Sequence, residues 1–202
     1  MIEEFVRWFL ALFFSAVCAF YVIRINLLTA RLKQKVTYLG AVGSLHHLTH
    51  MTFRVFRIII FAVCLVRVPF PALDQYLFLI GGLQSPYILL SGCALLIASF
   101  GGLVAVNLYM NGHWRSGTDP EDQSELITGG PFAVSQNPMM LLVMTGQLGF
   151  FLALPSVFTL ICLVAGHWAV ISQVRVEQTA LREKFGDAYL QYTASTPRWL
   201  LR

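Results

Sequence analysis

Glu177 stands where an apolar run gives way to polar sequence, with Arg175 two residues before it and Gln178 beside it. A carboxylate at such an edge can accept hydrogen bonds from a cationic or hydroxylated ligand and offset its charge. The structural alternative is an interfacial acid paired with Arg175 or Arg182. Val174, Glu177, Gln178 and Leu181 share one face of a helix expected over 174–185, which Phe185-Gly186 would end. Asn137-Pro138 opens another apolar run. Asparagine is a natural N-cap, and proline at the first helical position gives up only an N–H that would lack a partner. Such a start leaves backbone N–H groups and a positive dipole end free to hold a carboxylate. Residues 111–137 form a polar interval far longer than a connection between adjacent helices requires. His113, Trp114 and Arg115 at its start suit an interfacial anchor or the roof of a pocket.

Other groups carry less chemistry. His46 and His50 share a helix face, but no acidic or cysteine partner lies nearby and no HExxH pattern is present, so no metal site is expected. Cys18, Cys64, Cys93 and Cys162 each sit inside an apolar run without ligand spacing. The glycine pairs at 81, 101 and 129 do not build a GxGxxG turn after a strand. Asn107 and His167 lie within apolar runs, where they either bond one helix to another or line a cavity.

The elements that must position Glu177 and Asn137 are membrane helices. The chain is 57% hydrophobic and 12% charged over 202 residues, far from the soluble balance of about 45–50% apolar and ~25% charged. Its net charge of +4 comes from cations flanking apolar runs, a topology signal rather than a nucleic-acid surface. The expected fold is all-α: a single membrane domain over 1–202, with about five transmembrane helices and a cytoplasmic C-terminal helix. Apolar runs put the spans at 5–23, 53–68, 86–110, 139–154 and 157–171, with Ala98, Gly101 and Gly102 allowing close helix contact in the third. Residues 69–85 read as a broken helix end or a short re-entrant turn. Arg24, Arg31, Lys33, Lys35, Arg54 and Arg57 occur without an intervening acid, which makes that connector cytoplasmic, the N-terminus external and the C-terminus cytoplasmic. The acidic start at Glu3 and Glu4 argues against a cleaved signal peptide.

The order Glu125-Leu126-Ile127-Thr128-Gly129-Gly130-Pro131-Phe132, Asn137-Pro138-Met139, an apolar hairpin, Arg175-Val176-Glu177-Gln178, Leu181, Phe185-Gly186, Tyr189, Tyr192 and Pro197-Arg198 resembles the isoprenylcysteine carboxyl methyltransferase and phospholipid methyltransferase superfamily. The resemblance covers roughly 111–202, leaving 1–110 as N-terminal spans. It implies an integral membrane methyltransferase that uses S-adenosyl-L-methionine and acts on a lipid-like or small apolar acceptor, isoprenylcysteine carboxylate included. It further implies cofactor contacts from Ser124, Glu125, Leu126, Ile127, Phe132, Asn137, Pro138, Met139, Met140 and Glu177, with Glu177 and Arg175 nearest the chemistry. The compact N-terminal half is similar to bacterial members, so a bacterial inner membrane is expected rather than an endoplasmic reticulum. Departures fall at Gln136, Gln173 and Gln178, where relatives carry arginine, arginine and glutamate, and at Phe132 in place of tyrosine. A nicotinamide-dependent reductase of the sterol type and a non-enzymatic assembly subunit remain as alternatives.

Overall fold

The computed structural model describes residues 1–33, 43–110 and 125–200. The first apolar run does not stop near residue 23: Ile25, Leu27 and Leu28 continue it, and α1 spans Ile2–Leu32, with Lys33 closing it in the left-handed conformation. At ~1.5 Å per residue α1 is about 46 Å long, well beyond a hydrocarbon core of about 30 Å. The second helix, α2 at Leu45–Val66, starts earlier than the apolar run suggests, because Ser44 caps it by accepting the His47 N–H at 3.1 Å. Arg24, Arg54 and Arg57 are therefore helical residues rather than members of a basic connector.

Pro69 and Pro71 end α2, since neither can supply the N–H that a continuing helix needs. Residues 69–85, expected as a broken helix end or a short re-entrant turn, form two short 3₁₀ segments, Pro71–Leu77 and Gly81–Leu83. They pair with a later turn through Ile80 N–H to Pro155 O at 2.9 Å and Val157 N–H to Phe78 O at 3.0 Å. After them come α3 at Pro86–Met110, a one-turn α4 at Pro131–Val134 and α5 at Pro138–Ala153. Ser156 and Thr159 form a capping box that starts α6. That helix runs unbroken over Val157–Phe185, so the expected separate tail helix is its continuation. Gly186, at φ +50°, turns the chain into α7 at Asp187–Ser195.

α1, α3 and α6 are long and apolar enough to cross a membrane, and α5 is a shorter apolar helix. The chain is thus an all-α membrane helical bundle. Its neighbours close a ring, α1 to α2 to α6 to α5 to α3 and back to α1. The tightest seam is between α3 and α5. Gly92 faces Ala153, Leu96 faces Gly149, Ser99 faces Gly146 and Gly102 faces Leu142, an antiparallel ladder of small residues that lets the backbones approach. Gly101 lies in open space and Ala98 is exposed, so of the three small residues expected at this contact only Gly102 makes it. Asn107, fully buried, takes the cross-linking role: its Oδ1 accepts from Arg24 Nε at 2.8 Å, tying α3 to α1.

One end of the ring is held by charge. Asp74 accepts from Arg67 Nε at 2.5 Å and Nη2 at 3.1 Å, and from Arg7 Nη2 at 2.8 Å. The first 3₁₀ turn is thereby joined to α1 and to the end of α2. Burial alone would raise the Asp74 carboxyl, but the hydrogen bonds and charges of Arg67 and Arg7 hold it below its usual value. Asp74→Asn leaves two largely buried guanidinium groups without their anion and is expected to cost about 3 kcal/mol of stability, read as a lowered Tm in detergent. Because the folded carboxyl titrates below the unfolded one, its stabilisation is present above the ordinary carboxylate range and is lost as pH falls through the depressed value. Wild-type Tm should drop on acidification more steeply than that of Asp74→Asn.

Candidate functional site

The end of the ring away from Asp74 gathers residues 125–138 and the C-terminal part of the chain up to residue 200. The turn at 131–138 exists because Gly130, at φ +57°, lies against the Tyr109 ring, where a Cβ would come within 2.6 Å. Ser135 then accepts the Asn137 N–H at 3.1 Å and α5 begins at Pro138. Asn137 occupies the N-cap position, but its side chain does not cap: Nδ2 donates to Arg198 O at 3.0 Å. The first amides of α5 therefore have no side-chain cap, which leaves their N–H groups and the positive dipole end available to an anion.

The C-terminal residues strap this turn to α6. Gln136 N–H donates to Pro197 O at 3.0 Å and Gln136 Nε2 to Thr196 O at 2.6 Å. Gln178 Nε2 donates to Gln136 Oε1 at 3.4 Å, and Arg198 donates to Gln178 Oε1. Tyr192 donates its hydroxyl to Phe132 O at 2.7 Å. Burial, with Tyr189 adding, pushes the Tyr192 phenol up to about 12, so it remains a donor at any physiological pH. Two of the glutamine departures, Gln136 and Gln178, thus form a neutral clamp. Sequence reasoning missed the clamp because its partners are backbone carbonyls some 60 residues away. Tyr192→Phe removes one neutral hydrogen bond worth about 1 kcal/mol. It should speed proteolytic trimming of the segment after residue 186 while leaving the Tm of the bundle nearly unchanged.

Inside the ring lies a cavity of about 410 Å³ lined by residues of α1, α2, α3, α5 and α6 and by the 132–137 turn. Phe132, Asn137, Pro138, Met139, Met140 and Glu177 all line it. Glu177 reaches it from α6, and its Oε1 accepts from Gln173 Nε2 at 3.0 Å. Among the described residues no lysine or arginine pairs with Glu177: Arg175 is exposed and outside the lining, and the ion pairs are those of Asp74. Glu125, Leu126 and Ile127 form an irregular stretch before the glycine pair, also outside the lining. Ser124 and 113–115 lie outside the described residues. His167 faces a separate outer groove between α5 and α6, bonded to Leu163 O at 3.0 Å.

The cavity walls deeper in are aromatic. Phe14 meets Phe150 edge-on at 5.1 Å and Phe13 meets Phe100 at 5.7 Å, linking α1 to α5 and α3. Phe53, Phe56, Arg57 and Ile60 of α2 line the same space at helical spacing. That 3.6-residue pattern is a usable signal in the sequence, obscured by the charge of Arg57 within it. The arrangement can hold a polar, positively charged molecule between Glu177 and the start of α5, and an apolar one in the aromatic interior.

No curated protein and no solved structure matches the chain. The family model for phospholipid methyltransferases matches residues 87–188, from the first turn of α3 into α7, half of the sequence and starting well ahead of residue 111. The chain belongs to the phospholipid methyltransferase family.

Proposed function

We propose that this protein transfers a methyl group from S-adenosyl-L-methionine to a lipid-like or small apolar acceptor, with the donor bound between Glu177 and the start of α5. The observation that carries the reading is Glu177, a carboxylate facing a mainly apolar cavity without a cationic partner among the described residues. A half-buried acid against apolar walls is stabilised in its charged form by a counter-charge. The donor brings two, an ammonium and a sulfonium, and its carboxylate complements the uncapped amides of α5.

Bound there, the donor supplies an activated methyl: the acceptor's lone pair forms the new bond to carbon, the carbon–sulfur bond breaks, and its electron pair returns to sulfur. The chain's own residues position and desolvate. Glu177 orients the cationic end, Asn137 and Pro138 set the helix start, and Met139 and Met140 present its first free N–H groups. Phe132, which lines the cavity, offers a ring face to the adenine. The aromatic walls hold the acceptor and keep water from the methyl group. In this reading the clamped end is cytoplasmic, the N-terminus lies outside, and the membrane is a bacterial inner membrane.

Two measurements test it together. Titration of the detergent-purified protein should show saturable S-adenosylmethionine binding, and radiolabelled donor should pass its methyl group to a component of total lipid, thiol or membrane-protein extracts. Thermal stabilisation by NADPH and not by S-adenosylmethionine would replace this reading with a reductase.

A further inference from the structure

A positive charge on the cavity wall has no anion among the described residues. Among the described residues, Arg57 is the sole lysine or arginine lining the cavity, as Glu177 is the sole carboxylate. It lies on α2, twelve positions past Leu45, and is an exposed residue whose side chain also lines the cavity. Its guanidinium carbon sits 5.8 Å from the Tyr21 ring centre and 5.9 Å from that of Phe53. The two rings hold the cation in place, but they satisfy none of its five N–H donors. Among the described residues, none accepts a hydrogen bond from it and no carboxylate pairs with it.

Its depth relates it to the donor end. Tyr21 and Met139 both pack against Leu28, so Arg57 is linked to the first turn of α5 through Tyr21 and Leu28, and it lines the same cavity as Phe14, Phe100 and Phe150. A molecule whose chain fills that interior meets Arg57 with its polar end. A planar, permanently charged fork suits a carboxylate or a phosphate, which it can bind through two parallel N–H bonds. Gln173 and Gln136 line the same cavity and are neutral, so the selective charge comes from the N-terminal half of the chain.

We propose that Arg57 is the specificity residue for the acceptor: it binds an anionic head group, carboxylate or phosphate, on a molecule whose apolar chain occupies the aromatic interior. This rests on reading the cavity as the acceptor site, yet its test needs no methyl transfer. Purified protein is titrated with three probes of matched 18-carbon chain: oleate, oleoyl lysophosphatidate and neutral monoolein. Wild type should bind at least one anionic probe about tenfold or more tightly than monoolein. Preference for oleate alone points to a carboxylate acceptor and preference for lysophosphatidate alone to a phosphate one. Arg57→Gln should erase the preference while leaving monoolein and S-adenosylmethionine binding unchanged, and Arg57→Lys should keep part of it. If the glutamine variant does not fold, Arg57→Met supplies the same comparison. Equal binding of all three probes by wild type, or a preference that survives loss of the charge, overturns the proposal. A loss of S-adenosylmethionine affinity in Arg57→Gln also overturns it, because the guanidinium would then serve the donor. Failure of methyl transfer alongside a retained, Arg57-dependent preference would instead count against the proposed reaction.

Discussion

Glu177→Gln is expected to lower S-adenosylmethionine affinity by about 2–3 kcal/mol, roughly 30- to 150-fold, with methyl transfer falling at least as far. The substitution keeps the side chain's shape, and a glutamine oxygen can still accept from Gln173 Nε2, the hydrogen bond that Glu177 makes among the described residues. What disappears is the charge that would offset the donor's ammonium and sulfonium in a cavity with mainly apolar walls. Such interactions are stronger there than in water because little solvent screens them. Calorimetric titration together with the Tm of the ligand-free protein separates the two readings of this residue. A binding residue gives weakened donor affinity at unchanged Tm. An interfacial acid with no ligand gives unchanged affinity for the donor, and that result would remove Glu177 from the site.

Gly92→Val is expected to be the most damaging substitution in the bundle. A Cβ at residue 92 would lie 2.2 Å from Ala153 N and 2.6 Å from Leu152 C. These are backbone atoms and cannot rotate away, so α3 and α5 must separate. Overpacking of this kind costs about 3 kcal/mol or more, and separation would also spoil the contacts of Leu96 with Gly149 farther along the seam. Gly101→Val on the same helix is the control, because nothing lies within 4 Å of its would-be Cβ. Size-exclusion profiles and thermal unfolding in detergent should show Gly92→Val aggregated or strongly destabilised and Gly101→Val close to wild type. Equal behaviour of the two would mean that the α3–α5 seam is not as drawn.

The two glycines show where sequence reading runs out. Both sit in the same apolar helix, and composition marks each as a possible contact residue. Only the docking of α5 distinguishes Gly92, fully buried against Ala153, from Gly101 in open space. Arg57 is a parallel case. As one of a series of basic residues it reads as topology, whereas on α2 it becomes the charge in the cavity wall. That change follows from Ser44 starting the helix at Leu45, a local cap whose signal the apolar run beginning near 53 obscured.

By itself the sequence determined the membrane class, the helix that opens at Pro86, the helix start at Asn137-Pro138 and the stop at Phe185-Gly186, together with the motif residues that mark the family. These follow from run length, from proline and glycine backbone limits and from residues close in the chain. The tertiary structure alone decided how the helices close into a ring, which faces turn inward, and that Gln136, Gln178, Tyr192 and Arg198 clamp the turn ahead of α5. Such contacts join residues far apart in sequence, and their energy depends on which surfaces meet. No periodicity within a single helix can encode that.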